Sequence, residues 1–244
     1  MREQPWHKRQ ASAGHFETYK NLMDIHAMTV DWLRELKIER PSHSLSPAVG
    51  DQVKSQIQGI EHAVNVAFRA QENIGLDDLL DDTDPSDLLL RLKQGIFTLQ
   101  AWTLRSCNLA DELTLLEQSS WRAGRECAQK RWPSHQDRQK STQSETIFGL
   151  AALFQSSPIG DSREAPPFLN LRMTETEAIL EWLRCPHQSE LIEVKLVSDP
   201  LCRLQSHWIR GFLYQLNSRL KMDYYPAKAA ESDTGHCRLH WHLA

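Results

Sequence analysis

The spacing of apolar residues along this chain first departs from the helical period at Phe168, and that change restricts the architectures open to it. Ahead of Phe168 the apolar positions recur every three or four residues, as on one face of a helix. Residues 16–37 place Phe16, Tyr19, Met23, His26, Val30 and Leu33 on one stripe, widened by Leu22, Ile25, Trp32 and Leu36. Residues 50–70 repeat the pattern through Val53, Ile57, Ile60, Val64, Ala67 and Phe68. The acidic run from Asp77 to Asp84 reads as a solvated connection, with Asp84 or Ser86 capping the next helix. Residues 86–106 are apolar on most sides, which predicts a central helix. Residues 109–131 carry Ser120 and Gly124, two small residues four apart that would let another backbone come close. A glycine inside a helix costs up to about 1 kcal/mol against alanine, so a packing gain is expected to offset it. Trp132-Pro133 ends that helix, residues 133–145 read as an exposed linker, and a short apolar helix is expected over 145–155.

From Phe168 onward the alternation approaches every second residue, the spacing of a half-buried strand. The runs 168–173 and 177–185 predict an antiparallel hairpin, and 191–197 a further short strand. Asp199-Pro200 opens a helix with Leu204, Trp208, Ile209, Phe212, Leu213, Leu216 and Leu220 at three-four spacing. Strands at 222–230 and 236–243 close the chain around a turn at 232–235. The expected fold is therefore α+β: a helical N-terminal half, then an antiparallel four-stranded sheet with helices packed on one face. Residues 1–108 read as a helical region and 109–244 as a second domain.

Composition narrows the function classes. Among 244 residues, 40% are hydrophobic and 25% charged, which excludes a disordered chain, a collagen and a coiled-coil rod. A net charge of −4 carries no electrostatic footprint for nucleic acid or an acidic membrane. No run reaches the roughly 18 apolar residues of a spanning helix, and the N-terminal stretch does not read as a secretory signal. The five cysteines are odd in number and form no close pair, so a reduced, cytoplasmic protein is expected.

Candidate chemistry concentrates in the C-terminal half. On the last strand Cys237, Leu239 and Trp241 share one face, the expected core side, while His236, Arg238, His240 and His242 share the other. Those imidazoles suit a transition metal; the plainer reading is an exposed polar strand face. Cys185, Cys202 and Cys237 form an alternative thiolate set, against the plainer reading of buried cysteines acting as small hydrophobes. Cys185 and His187, two apart on an extended segment, could point the same way and serve as the nucleophile and base of a small cysteine-dependent hydrolase or lyase. No nucleophile elbow, phosphate loop, dinucleotide fingerprint or His-Glu-x-x-His motif is present. Phe168, Trp182, Trp208, Phe212, Tyr214, Tyr224, Tyr225 and Trp241 supply either a packed aromatic core or the wall of an apolar pocket. Trp182, Trp208, Phe212, Tyr224 and Trp241 are the pocket candidates, and Arg210 leads Arg172, Lys228 and His207 as an anchor for a guest carboxylate.

A small-residue helix ending WRAGRECAQKRW, a hairpin ending LRCPHQ, the helix DPLCRLQSHWIRGFLYQL and a last hairpin with TGHCRLHWHL follow one another over residues 109–243. In that order they resemble the vinyl-4-reductase (hydrocarbon-binding) domain family, related to aminothiazoline-carboxylate hydrolase-like proteins. The resemblance implies the nitric-oxide-signalling and Golgi-transport ligand-binding fold, an apolar pocket, a homodimer and a protein partner. It also implies a regulator, sensor or assembly factor, in some members linked to tetrapyrrole metabolism. Ala227-Lys228-Ala229-Ala230 stands where related sequences carry a penultimate-strand cysteine, so the thiol pair of the family is not repeated. The function expected is non-catalytic binding of a small apolar molecule, a tetrapyrrole or another hydrophobic ligand. The alternatives are the Cys185–His187 hydrolase and a ligand-free structural interaction protein.

Overall fold

A computed structural model describes residues 13–38, 84–105, 107, 110–132, 145–159, 169–182, 199–225 and 237–243. Helices α1 (Ala13–Ile38), α2 (Pro85–Arg105), α3 (Ala110–Arg131) and α4 (Ile147–Gln155) come first. Strands β1 (Leu169–Met173) and β2 (Glu177–Trp182) follow, then helix α5 (Asp199–Leu216) and strands β3 (Leu220–Tyr225) and β4 (Cys237–Leu243). The protein is α+β, with helices on one face of a four-stranded antiparallel sheet of order β1-β2-β4-β3. The expected helix at 50–70, strand at 191–197, turn at 232–235 and most of the linker at 133–145 lie outside the described residues.

Local chemistry explains where the elements start and stop. Asp84 caps α2: its Oδ1 accepts the Ser86 N–H at 2.9 Å and its carbonyl accepts the Leu88 N–H at 3.0 Å. Pro85 then occupies the first turn, where a missing N–H costs nothing. Thr146 caps α4 by accepting the Gly149 N–H at 3.1 Å. The three-four apolar pattern of α5 runs on to Leu220, but the helix stops at Leu216. Asn217 is the reason: its Oδ1 accepts the Arg219 N–H at 2.9 Å and its carbonyl accepts the Leu220 N–H at 3.1 Å. An Asn side chain competes with the helix for backbone groups, and here it turns the chain so that Leu220 opens β3.

The sheet register separates the two sets of side chains. Leu180 stands opposite Leu239, and Trp241 lies between Ala178 and Met222. All five are buried beneath the helices. The core they belong to draws on both sides of residue 108: Met28 and Trp32 of α1, Ala101 and Leu104 of α2, and Leu116 and Ala128 of α3 join it. Leu22 with Leu89, Leu92, Ile96 and Phe97 forms a smaller cluster between α1 and α2. Two buried polar bonds stitch these helices together. Trp32 Nε1 donates to Ser120 Oγ at 2.9 Å, and Gln100 Nε2 donates to Thr29 Oγ1 at 3.0 Å.

Among the described helices, α3 and α5 make the most extensive contact. A Cβ placed on Gly124 would lie 2.0 Å from the Trp208 carbonyl oxygen, and one on Gly211 would lie 2.0 Å from the Trp121 carbonyl oxygen. Each glycine therefore admits the other helix's backbone, and the contact is reciprocal. Along the flanks, Arg203 Nε meets Glu117 Oε1 at 2.5 Å and Arg125 Nε donates to Gln215 Oε1 at 3.1 Å. These pairs descend both helices in the same order, so the two run side by side in the same direction.

A second tie lies at the end of α3. Arg131, 5% exposed, meets Asp24 Oδ2 at 2.6 Å and Glu17 Oε1 at 3.3 Å on α1, and donates to the Ser156 carbonyl after α4 at 3.3 Å. One guanidinium thus joins three helices. Planar, multiply donating geometry is what arginine supplies and lysine does not.

Two outcomes follow from these contacts. Gly124→Ala and Gly211→Ala each force backbone apart and are expected to cost about 2–3 kcal/mol in urea unfolding, although alanine is the better helix former. An unchanged midpoint would mean that the helices are not in backbone contact. Arg131→Ala leaves Asp24 largely buried without its main partner and is expected to cost about 3 kcal/mol, with Arg131→Lys recovering only part.

Candidate functional site

The five rings expected to line a pocket come together between the sheet and its covering helices. Trp208, Phe212 and Trp241 are buried, and Trp182 and Tyr224 are half-buried against the same core. Trp208 stacks on Phe212 with centroids 5.2 Å apart, and Trp132 meets Phe212 edge-on at 5.4 Å. Phe154 of α4 meets Trp241 edge-on at 5.5 Å. These contacts have the offset and perpendicular geometries that ring quadrupoles favour. Trp241 is 0% exposed, and its Nε1 is buried with no hydrogen-bond partner among the described residues.

The anchor candidates are placed differently. Arg210 Nη2 donates to the Met222 carbonyl at 2.6 Å, clasping α5 to β3. Arg172 meets Glu181 Oε2 at 3.3 Å on the other face of the sheet. His207 Nε2 lies 3.6 Å from Glu117 Oε2. Burial holds its pKa below the ordinary imidazole value, and Arg210 and Arg203 push the same way while Glu117 opposes them. Lys228 lies outside the described residues.

Of the cysteine chemistry, Cys185 and His187 lie outside the described residues. Cys202 is half-buried on α5, and Cys237 opens β4 opposite Trp182. The Cys185–His187 pair therefore lies wholly, and the set Cys185, Cys202 and Cys237 partly, outside the described residues. Cys127, on α3, is a buried thiol whose Sγ lies 3.8 Å from Asp24 Oδ2. Burial, reinforced by the Asp24 carboxylate, pushes its pKa up to about 12, with Arg131 and Lys130 working against the rise. Such a thiol is a poor nucleophile at neutral pH.

The open face of the sheet carries the remaining polar groups. Glu181 of β2 accepts from Arg238 Nη2 at 3.2 Å as well as from Arg172. His240 Nε2 and Glu177 Oε2 are 2.8 Å apart. Asp223 of β3 stands directly opposite His240, and His242 stands opposite Glu177 on one side and Lys221 on the other. One ligand atom each from Asp223, His240 and His242 falls within 4.8 Å of the other two, so these three could hold a metal ion. His236 lies outside the described residues, so the sequence pattern named two of the three. No local pattern marks Asp223, because its place beside His240 depends on the β3–β4 register, which the long connection between those strands conceals.

No protein-family model, curated protein or solved structure matches this chain. No helix among the described residues is long and apolar enough to cross a membrane.

The Cys127 environment gives a pH-dependent outcome. The folded thiol keeps its proton to about 12, while the unfolded thiol releases it near 9.0. Its contribution is intact below the unfolded value and is lost as pH rises between the two. Stability is expected to fall across that window, by up to about 1.4 kcal/mol per pH unit from this group, and the slope is expected to flatten in Cys127→Ala. Urea unfolding at stepped pH measures it.

Proposed function

We propose that the chain is a non-catalytic small-molecule-binding protein of regulatory or assembly type, whose C-terminal layer takes an apolar guest beside Trp241. The observation that carries this reading is the buried Trp241 indole N–H, which finds no acceptor among the described residues. A buried donor left unpaired costs about 1–3 kcal/mol, and tryptophans inside proteins ordinarily satisfy theirs. A mainly apolar guest with one oxygen or nitrogen acceptor would meet that need while contacting the surrounding rings. The resemblance of residues 109–243 to the vinyl-4-reductase domain supports the same kind of ligand, a tetrapyrrole, fatty acid or steroid-like molecule, and a homodimer that presents it to a protein partner. Arg210 gives one of its five donors to the Met222 carbonyl and keeps the others, so the guanidinium is a second handle for the guest beside the indole.

A ligand-free scaffold is the second reading, favoured by the mutual packing of Trp208, Phe212 and Trp132. Native mass spectrometry and an absorbance spectrum of the purified full chain separate the two. One apolar molecule per chain is expected, or saturable quenching of tryptophan fluorescence by a long-chain fatty acid, a steroid or a porphyrin. Trp241→Phe keeps the ring shape and removes the donor, and is expected to weaken binding about tenfold, the worth of one hydrogen bond near 1.4 kcal/mol. Absence of any bound molecule and of quenching by all three probes would leave the scaffold reading in its place.

A further inference from the structure

We infer that Asp223, His240 and His242 form a binding site for a divalent first-row transition ion on the open face of the sheet. The site is independent of the apolar guest, because it lies on the opposite side of β4 from Trp241.

The strand period puts His240 and His242 on one face, and the β3–β4 register puts Asp223 directly across from His240. The two imidazole rings are 5.6 Å apart between centroids and tilted by 49°. With Asp223 they bring three potential ligand atoms within 4.8 Å of one another. Two imidazoles and a carboxylate make the donor set that suits Zn, Co, Ni or Cu, and three protein ligands leave a position open for water or an exogenous group. A hard, oxygen-seeking ion such as Mg or Ca would find too few oxygens.

Two further observations point to an ion rather than to a merely polar face. First, Glu177 engages His240 through Nε2 at 2.8 Å. With that nitrogen protonated and donating to the carboxylate, Nδ1 carries the lone pair available to a metal. A carboxylate behind a ligating histidine both fixes the ring and raises its basicity. Second, His242 Nδ1 is buried and has no hydrogen-bond partner among the described residues.

Charge on this face is arranged compatibly. The guanidinium groups of Arg172 and Arg238 both lie against Glu181, which neutralises much of their effect. Lys221, across from His242, is the cation that opposes binding, and its exposed side chain is screened by water. Asp223 and Glu177 supply two carboxylates beside the imidazoles. A bound ion would tie β3 to β4 near the end of the sheet.

Titration of the full chain with zinc, followed by calorimetry at neutral pH, tests the site, and cobalt supplies a visible spectrum of the coordination sphere. One ion per chain is expected, with nitrogen- and oxygen-type rather than thiolate-type cobalt absorption. His240→Ala, His242→Ala and Asp223→Asn are each expected to weaken binding at least tenfold, and Glu177→Gln about tenfold through loss of ring orientation. Zinc is expected to raise the melting temperature of the wild-type chain but not of His242→Ala, a readout that stands even if that variant starts less stable. Undiminished stoichiometric binding by the double variant His240→Ala/His242→Ala would place the ion elsewhere and overturn the assignment. Absence of binding by the wild-type chain at micromolar zinc would overturn it as well.

Discussion

The backbone contact between α3 and α5 is the constraint on which the rest of the structure depends. Gly124 and Gly211 remove the two side chains that would hold these helices apart, and each admits a carbonyl of the other helix. Because α5 is the helix that packs against β3, its depth against α3 also sets its distance from the sheet. Trp208 and Phe212, which flank Gly211 on α5, lie buried in the core. A glycine inside a helix is a local loss, and a close interface is the gain that offsets it.

Around that contact, buried polar groups join the helices at their junctions. Arg131 gathers carboxylates from α1 and a carbonyl after α4, and Trp32 reaches Ser120 across the α1–α3 seam. Such bonds add direction to an interface that apolar packing alone would leave free to slide. They also make the N-terminal helices part of the main core, since Met28 and Trp32 lie in the same cluster as Trp241. The Trp241 N–H has no acceptor among the described residues, and its position among rings distinguishes it from the other buried atoms left unpaired there.

The sheet divides two kinds of chemistry by one residue's alternation. Leu239 and Trp241 face the helices, while Arg238, His240 and His242 face away. The inner side is apolar and closed by α4 and α5; the outer side is a mosaic of carboxylates, imidazoles and guanidinium groups. A slip of one residue in register would exchange the two faces, so the burial of Trp241 and the gathering of the histidines are the same structural event.

Among the described residues, the sequence by itself determined which segments are helical or extended and which face of β4 is apolar, because those properties follow from local spacing. The close approach at Gly124 was legible too, as a small-residue pair, although its partner Gly211 was hidden within an apolar helix. The helix end at Asn217 was not, because the apolar pattern ran straight through it to Leu220. Only the tertiary structure decided that Arg210 clasps Met222, that Trp241 leaves its N–H without an acceptor among the described residues, and that Asp223 stands beside His240. Each of these joins residues whose distance in sequence says nothing of their distance in space. Strand register and helix depth are set by the packing of the whole core, and no local pattern of side chains encodes them.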